Sequence, residues 1–342
     1  LELAESKLKA QPDHEDEWLY IKANCERQLQ KNEEALKTYA LLMAKHPQSE
    51  SAALAAYEEV LIFFKEKRYD EVAARAGRVR PAPDAAEDFY WMAAESFLQL
   101  KNSAKARYYY ELYLAQYSKS ERAPAALYRL AGLLQEGGEY APASDAYRKL
   151  ARDYPSDDLA AEALFASAWC RQRAGETQEA ILDWDRLATA HPAHERVEES
   201  LFQKALAEYQ TGKPKDAEAT LEKLLEAYPD GAYAVQGRYW LGILFDEAGE
   251  SEKAEKALRD ALATGSTPSE EAAMKYRLAS VLQKRGRFDE SAGVLQSLLE
   301  EKAQGDMPPG LLEWLSRHWL EQKDFEKAGA SAEKLANSST NA

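Results

Sequence analysis

Three places in the 342-residue chain hold side chains that could do chemistry. His191 and His194 flank Pro192 and could be a pair of imidazole metal ligands. Asp183 and Asp185 flank Trp184 and could be a carboxylate pair. Cys25 and Cys170 could be thiolate ligands or a disulfide. None of the spacings suits the chemistry. No C-x-x-C supplies zinc spacing. Side chains two apart on a helix face different ways, so the aspartates cannot converge and are read as solvated, with Trp184 as core. His191 occupies the slot that Tyr154 and Tyr228 fill ahead of a proline, which is a packing position. No G-x-G-x-x-G, P-loop, H-E-x-x-H or G-x-S-x-G occurs. No catalytic residue, metal or cofactor is expected.

Charge narrows the partners. The net charge is −15, whereas phosphate backbones are bound through Lys and Arg, and no basic run exceeds Lys284-Arg285-Gly286-Arg287. A nucleic-acid partner is therefore not expected. No apolar run approaches the roughly 18 residues of a membrane span. With only 16 Gly and 13 Pro, and 45% hydrophobic against 30% charged residues, the chain reads as mostly α-helix.

The elements that would position any site come from an internal repeat. Ala106, Ala143, Ala180, Ala217, Ala254, Ser291 and Ala328 stand 37 residues apart, and Ala35 and Val72 extend the series. Only the step from Val72 to Ala106 shrinks, to 34. A fixed period of this size marks a stacked array. Each unit reads as two amphipathic helices, A and B. Leu127, Leu130, Ala131 and Leu134 form one stripe, Gly137-Gly138-Glu139 breaks it, and Ala143, Tyr147 and Leu150 form the second. Tyr154-Pro155 ends the unit. Small residues let the A and B axes approach to about 8 Å, so Ala131 is expected against Ala143, Ala168 against Ala180, Ala205 against Ala217 and Gly242 against Ala254. Pro142 and Pro214 suit the first turn of helix B.

This pattern of small–x11–small–x3–aromatic/Leu–x2–Leu–x4–Pro resembles the tetratricopeptide repeat. The resemblance implies an all-α, TPR-like α-solenoid: a right-handed superhelix of helix-turn-helix repeats. The longer period lies in linkers such as Tyr154–Ala160 and Tyr228–Ala234, a style similar to tetratricopeptide proteins of the Gram-negative envelope, of the Tol-associated cell-division coordinator and barrel-assembly lipoprotein kind. That likeness implies a bacterial periplasmic or cell-envelope location, with the cytoplasm as the alternative. By regularity, residues 1–83 hold a half repeat plus two divergent ones, 84–337 seven regular repeats, and 338–342 a polar tail. The shape expected is eight complete units behind a half unit, with later helix pairs near 122–136/140–153, 157–173/177–190, 194–211/214–228, 231–248/251–263, 268–285/288–303 and 309–321/325–337. The departure at Arg78–Asp84 predicts a local change in twist. Leu1–Ala10 already reads as helix interior, so the chain is read as part of a longer protein.

In such arrays helix A lines the concave surface and its fifth position points into the groove. Here that position holds Tyr20, Tyr57, Trp91, Tyr128, Phe165, Phe202, Tyr239 and Tyr276, and Glu313 ends the column. Trp169 and Tyr209 flank it. Aromatic side chains give large contact area at low entropy cost and are enriched in binding hot spots. The column is either a binding ladder, with Trp91, Tyr128, Phe165, Trp169, Phe202, Tyr209, Tyr239 and Tyr276 as the partner-binding residues, or local packing between repeats. A ladder requires partial exposure of its rings, while Tyr147 and Trp184 should be buried.

The resemblance thus implies a non-catalytic scaffold binding a protein or peptide. Glu95, Glu162, Glu199, Asp246 and Glu247 favour a partner with basic and apolar groups. The carboxylate clamp of related co-chaperones is not expected, since of its positions only Asn24 fits. Two other readings stay open: a repeat arm of a larger enzyme, and a self-assembling, homo-oligomeric scaffold. Cys25 and Cys170 stand four repeats apart, too far for a bridge, and should be free thiols.

Overall fold

The computed structural model describes residues 1–10, 12–265, 267–300 and 309–339, and among them every regular element is a helix. Helix α1 (Glu2–Ala10) and a single 3-10 turn (Pro12–His14) lead into nine A–B pairs. They are α2 (Glu15–Gln28) and α3 (Asn32–Lys45), α4 (Glu50–Lys65) and α5 (Tyr69–Ala76), α6 (Ala86–Gln99) and α7 (Ser103–Gln116). Next come α8 (Ala123–Glu136) and α9 (Tyr140–Asp153), α10 (Leu159–Arg173) and α11 (Thr177–Ala190), α12 (Val197–Gln210) and α13 (Pro214–Ala227). The last are α14 (Ala234–Glu247) and α15 (Ser251–Thr264), α16 (Pro268–Lys284) and α17 (Phe288–Glu300), α18 (Pro309–Glu321) and α19 (Phe325–Ser339). The nine pairs correct the count of eight complete units and equal the sum of two divergent and seven regular repeats. Residues 301–303 of the expected helix at 288–303, and 340–342 of the expected tail, lie outside the described residues; α19 takes in Ser338 and Ser339.

Two compact units divide the chain, Leu1–Ala174 with α1 to α10 and Gly175–Ala342 with α11 to α19. In each, the small residues sit where helices approach most closely. Ala131 and Ala143 are wholly buried, as are Ala168, Ala180, Ala205 and Ala217 to within a per cent. At Gly242 the reason is visible in atoms: a Cβ there would stand 2.7 Å from Leu258 Cγ, one turn beyond Ala254 on α15. No side chain larger than hydrogen fits unless the Leu258 side chain gives way.

Every A–B turn uses one backbone conformation. Gly138, Gly175, Gly212, Gly249 and Gly286 have φ between 72° and 80°. Gln30, Lys67, Lys101 and Lys323 occupy the matching turns with φ of 55° to 62°. In both kinds the following amide reaches back five residues, as Glu139 N to Leu134 O and Asn102 N to Phe97 O, each at 2.9 Å. That bond closes a Schellman motif, which satisfies carbonyls the helix end would otherwise leave unpaired.

One layer departs from the rest. Helix α5 stops at Ala76 after 8 residues, where the B helices α3, α7, α9, α11, α13 and α15 each run 14. Residues 77–85 then cross to α6 without regular structure. This is the place where Arg78–Asp84 replaces the usual linker.

Candidate functional site

The column aromatics lie on the A helices, and three of them meet a ring nineteen residues on. Tyr20 meets Tyr39 at 6.2 Å between ring centroids, Trp91 meets Tyr110 at 6.1 Å and Tyr128 meets Tyr147 at 5.3 Å. Each partner is a B-helix ring of the same repeat and is itself buried: Tyr39, Tyr110 and Tyr147 are at most 3% exposed. The A-helix ring is half-buried in every case. In Trp91 and Tyr128 the contact is edge-to-face, the arrangement the ring quadrupoles favour. So one side of each ring packs, and the remainder faces outward.

Around Trp91 the network is densest. Tyr113 adds a second edge contact at 5.9 Å, and the Arg122 guanidinium lies 5.8 Å from the indole centroid. The Tyr110 hydroxyl donates to Glu95, and the Tyr113 hydroxyl donates to Glu87 at 3.0 Å. Burial pushes the Tyr113 phenol up to about 12, so it remains a donor at any physiological pH. Tyr110 and Tyr147 move further in the same direction for the same reason.

The Phe positions behave differently. Phe165 and Phe202 are buried, 8% and 7% exposed, which corrects the expectation that they would be partly exposed. Phe202 is covered by Tyr233, 5.1 Å away, which precedes α14. Phe165 lies edge-on to Trp169 at 6.3 Å. A ring without a hydroxyl has no polar tip to keep at the surface. In the second unit Tyr239 and Tyr276 are half-buried, as is Tyr209, whose ring meets Trp240 at 5.4 Å. The Tyr209 hydroxyl donates to both Glu247 oxygens, at 2.9 and 3.0 Å, and these bonds raise its pKa above the ordinary phenol value. Tyr233 and Trp240 escaped the sequence reading because neither stands at a column or flanking position; their aromatic character was the only signal.

The acidic groups are largely answered from within. Glu95 takes the Tyr110 hydroxyl and lies 3.7 Å from Arg129, and Glu199 pairs with Arg196 at 3.1 Å. Asp246 is buried between Arg277 at 3.3 Å and Lys284 at 2.5 Å. Asn24 accepts from the Tyr39 hydroxyl at 2.9 Å. Asp183, read as solvated, is in fact fully buried, with Arg186 at 3.3 Å, while Asp185 is half-exposed and pairs with Lys204 at 2.5 Å. Trp184 between them is wholly buried, as expected of core. Cys25 and Cys170 are free thiols. Among the described residues no three His, Cys, Asp or Glu side chains converge as metal ligands, and no helix is long and apolar enough to cross a membrane.

Comparison with known proteins gives a consistent answer. A tetratricopeptide-repeat model matches residues 19–49, 88–120, 125–157 and 162–194. A tetratricopeptide repeat-like domain model matches 180–307, and another repeat model matches 276–342. Similar solved structures include a tetratricopeptide repeat protein from Parabacteroides merdae, at 17% identity over 74% of this chain and 93% of that one, TM-score 0.43. MamA from Desulfovibrio magneticus is 21% identical over 53% of this chain and 97% of its own, TM-score 0.43. BtubC from P. vanneervenii is 16% identical over 67% and 95%, TM-score 0.44. No curated protein matches the chain.

Proposed function

The chain belongs to the tetratricopeptide-repeat family, and on that premise we propose that it is a non-catalytic scaffold holding a partner protein or peptide in a concave groove along the A-helix aromatics within a unit. The observation that carries the reading is the half-buried state of Trp91, Tyr128, Tyr239 and Tyr276 at repeating positions. A ring clamped along one edge by a buried neighbour is already in place when a partner arrives. Little side-chain entropy is then lost on binding, and the outward surface still offers contact area. Trp169 and Tyr209, also half-buried, extend the same face within their own units. Phe165 and Phe202, buried at the same register, offer little such surface.

The partner that suits this surface is apolar first and basic second. The carboxylates near the column are mostly matched internally, so they orient rather than grip. The net charge of −15 still draws basic partners in by long-range attraction. The linker style favours a bacterial cell-envelope assembly as the setting.

The test is capture from a native lysate with the whole chain, followed by identification of the partner and measurement of its affinity. Trp91→Ala and Tyr128→Ala should each weaken that partner by about 1–2 kcal/mol. Leu150→Ala, a core change, should lower the melting temperature but leave binding per folded molecule intact. If instead the two column variants melt the array and binding per folded molecule holds, the column is packing alone and the groove reading fails.

A further inference from the structure

The shortened helix α5 leaves space on both sides of the segment that follows it. One cleft of about 530 Å³ opens between residues 77–81, α6 and α7, with Arg80, Pro81, Tyr90, Lys105, Tyr108 and Leu112 in its wall. A second of about 590 Å³ opens between the same segment, α3 and α4, lined by Met43, Ala56, Arg78 and the Glu59–Arg75 ion pair, whose carboxylate is thereby answered. Val79 and Arg80 border both, so the 77–81 segment is the wall the two clefts share. A full-length B helix would occupy this ground.

Charge and ring geometry say what would fit. Arg78, Arg80 and Lys105 are exposed, and none has a hydrogen bond or ion pair from its side chain among the described residues. The neighbouring arginines have partners: Arg68 with Glu71, Arg75 with Glu59, Arg107 with Glu139 and Arg122 with Asp88. Three cations without a side-chain partner thus line the two clefts of a chain whose net charge is −15. Beside them Tyr108 is 53% exposed. Its ring stands edge-on to buried Tyr109 at 5.1 Å, and Tyr109 stacks on Phe97 at 5.5 Å. The exposed ring is therefore held by a fixed wall.

We propose that these two adjacent clefts bind an acidic peptide segment carrying an apolar or aromatic side chain, as a second docking site separate from the A-helix column. The arginine forks would take carboxylates in paired hydrogen bonds, and the apolar side chain would lie against Tyr90, Tyr108 and Leu112. Two clefts on either side of one segment suit an extended chain that crosses it rather than a compact ligand. Three cations are too few to hold a nucleic acid against the surrounding negative charge.

Fluorescence anisotropy on the whole chain tests this with a short labelled peptide of alternating glutamate and tryptophan. Its glutamine twin and a labelled single-stranded oligonucleotide run beside it. The acidic peptide should bind, weaken with added salt, and lose about tenfold or more in affinity to Arg80→Ala/Lys105→Ala, with Arg78→Ala reducing it further. All three positions are exposed, and unchanged circular dichroism would verify the fold. Tyr128→Ala should bind the peptide like the parent, which separates this site from the column. Equal binding of the glutamine twin, preference for the oligonucleotide, or an unchanged affinity in the double variant would each overturn the proposal. So would a shift of the parent chain to a dimer that Arg80→Ala abolishes, since the occupant would then be a second copy.

Discussion

Gly138, Gly212 and Gly249 in the central repeats stand at the same turn position as Gln30, Lys67 and Lys101 towards the N-terminus and Lys323 near the end. The backbone is left-handed at all of them, and the same reach-back hydrogen bonds close both kinds of turn. Glycine adopts that conformation freely, whereas a residue with a Cβ is strained by roughly 1–2 kcal/mol. The outer repeats accept the strain because the helices on either side are fixed by burial. The α4–α5 layer goes further: it keeps the turn at Lys67, yet its B helix is little more than half the usual length. Turn geometry is thus the invariant of this array, and neither turn residue nor helix length is.

The harshest way to break that comparison is to remove burial. Tyr110→Ala, in a repeat turned by Lys101, and Tyr147→Ala, in one turned by Gly138, should each lose about 3–5 kcal/mol in urea unfolding. If only the Lys101 repeat collapses, the turn residue matters more than the packing. A smaller effect is expected at Glu255. Burial pushes its pKa up, but hydrogen bonds from Arg259 and Arg287 outweigh this and hold it below the usual carboxylate value. A lowered folded pKa means stability that is present above the ordinary carboxylate pKa and lost as pH falls through the folded one. Glu255→Gln should cost about 1–2 kcal/mol at neutral pH, discounted for the partial exposure of its arginines, and should flatten the acid limb of the melting profile. An acid limb unchanged by the variant would remove Glu255 from the account.

Exchanging turn residues sharpens the comparison directly. Gly138→Ala should lose about 1 kcal/mol, all of it from the backbone, because nothing lies within 4 Å of the added Cβ. Lys101→Gly should gain about 0.5–1 kcal/mol, the relieved strain less the extra freedom glycine gives the unfolded chain. Equal signs for the two changes would contradict the shared conformation. The smallest readout is chemical. Burial pushes the Cys170 thiol up to about 11, against a lesser opposing pull from Arg171, while Cys25 is only half-buried. A thiol reagent at neutral pH should label Cys25 first and reach Cys170 only as the chain opens. Labelling in the reverse order would show that the α10 end of the first unit opens before α2.

Much of the fold could be read from spacing, because a helix must place its apolar residues on one face and a stacked pair must have small residues at its crossing. Ala143 and Ala131 could be named for that reason, and their burial followed. The turns at Gln30, Lys67, Lys101 and Lys323 could not, since a strained residue carries no mark of its own. The column was legible as a register but not as a surface. Exposure at Phe202 is decided by Tyr233, which belongs to the next repeat's approach rather than to the column. Asp183 was misjudged because burial of a carboxylate depends on which cation the fold delivers, here Arg186 one turn on. The clefts beside α5 left a trace in the irregular segment from Arg78 to Asp84, but what a missing helix end uncovers appears only in three dimensions.

Within each unit, every helix packs substantially on only the next one or two along the chain. For a chain made from its N-terminus on a ribosome, that adjacency removes the wait for distant segments. Helix α3 can settle on α2 as soon as it emerges, and α4 on both, so apolar faces are covered in the order in which they appear. Local contacts of this kind give fast folding. They also confine any stall to the layer being added, which leaves the repeats already made intact.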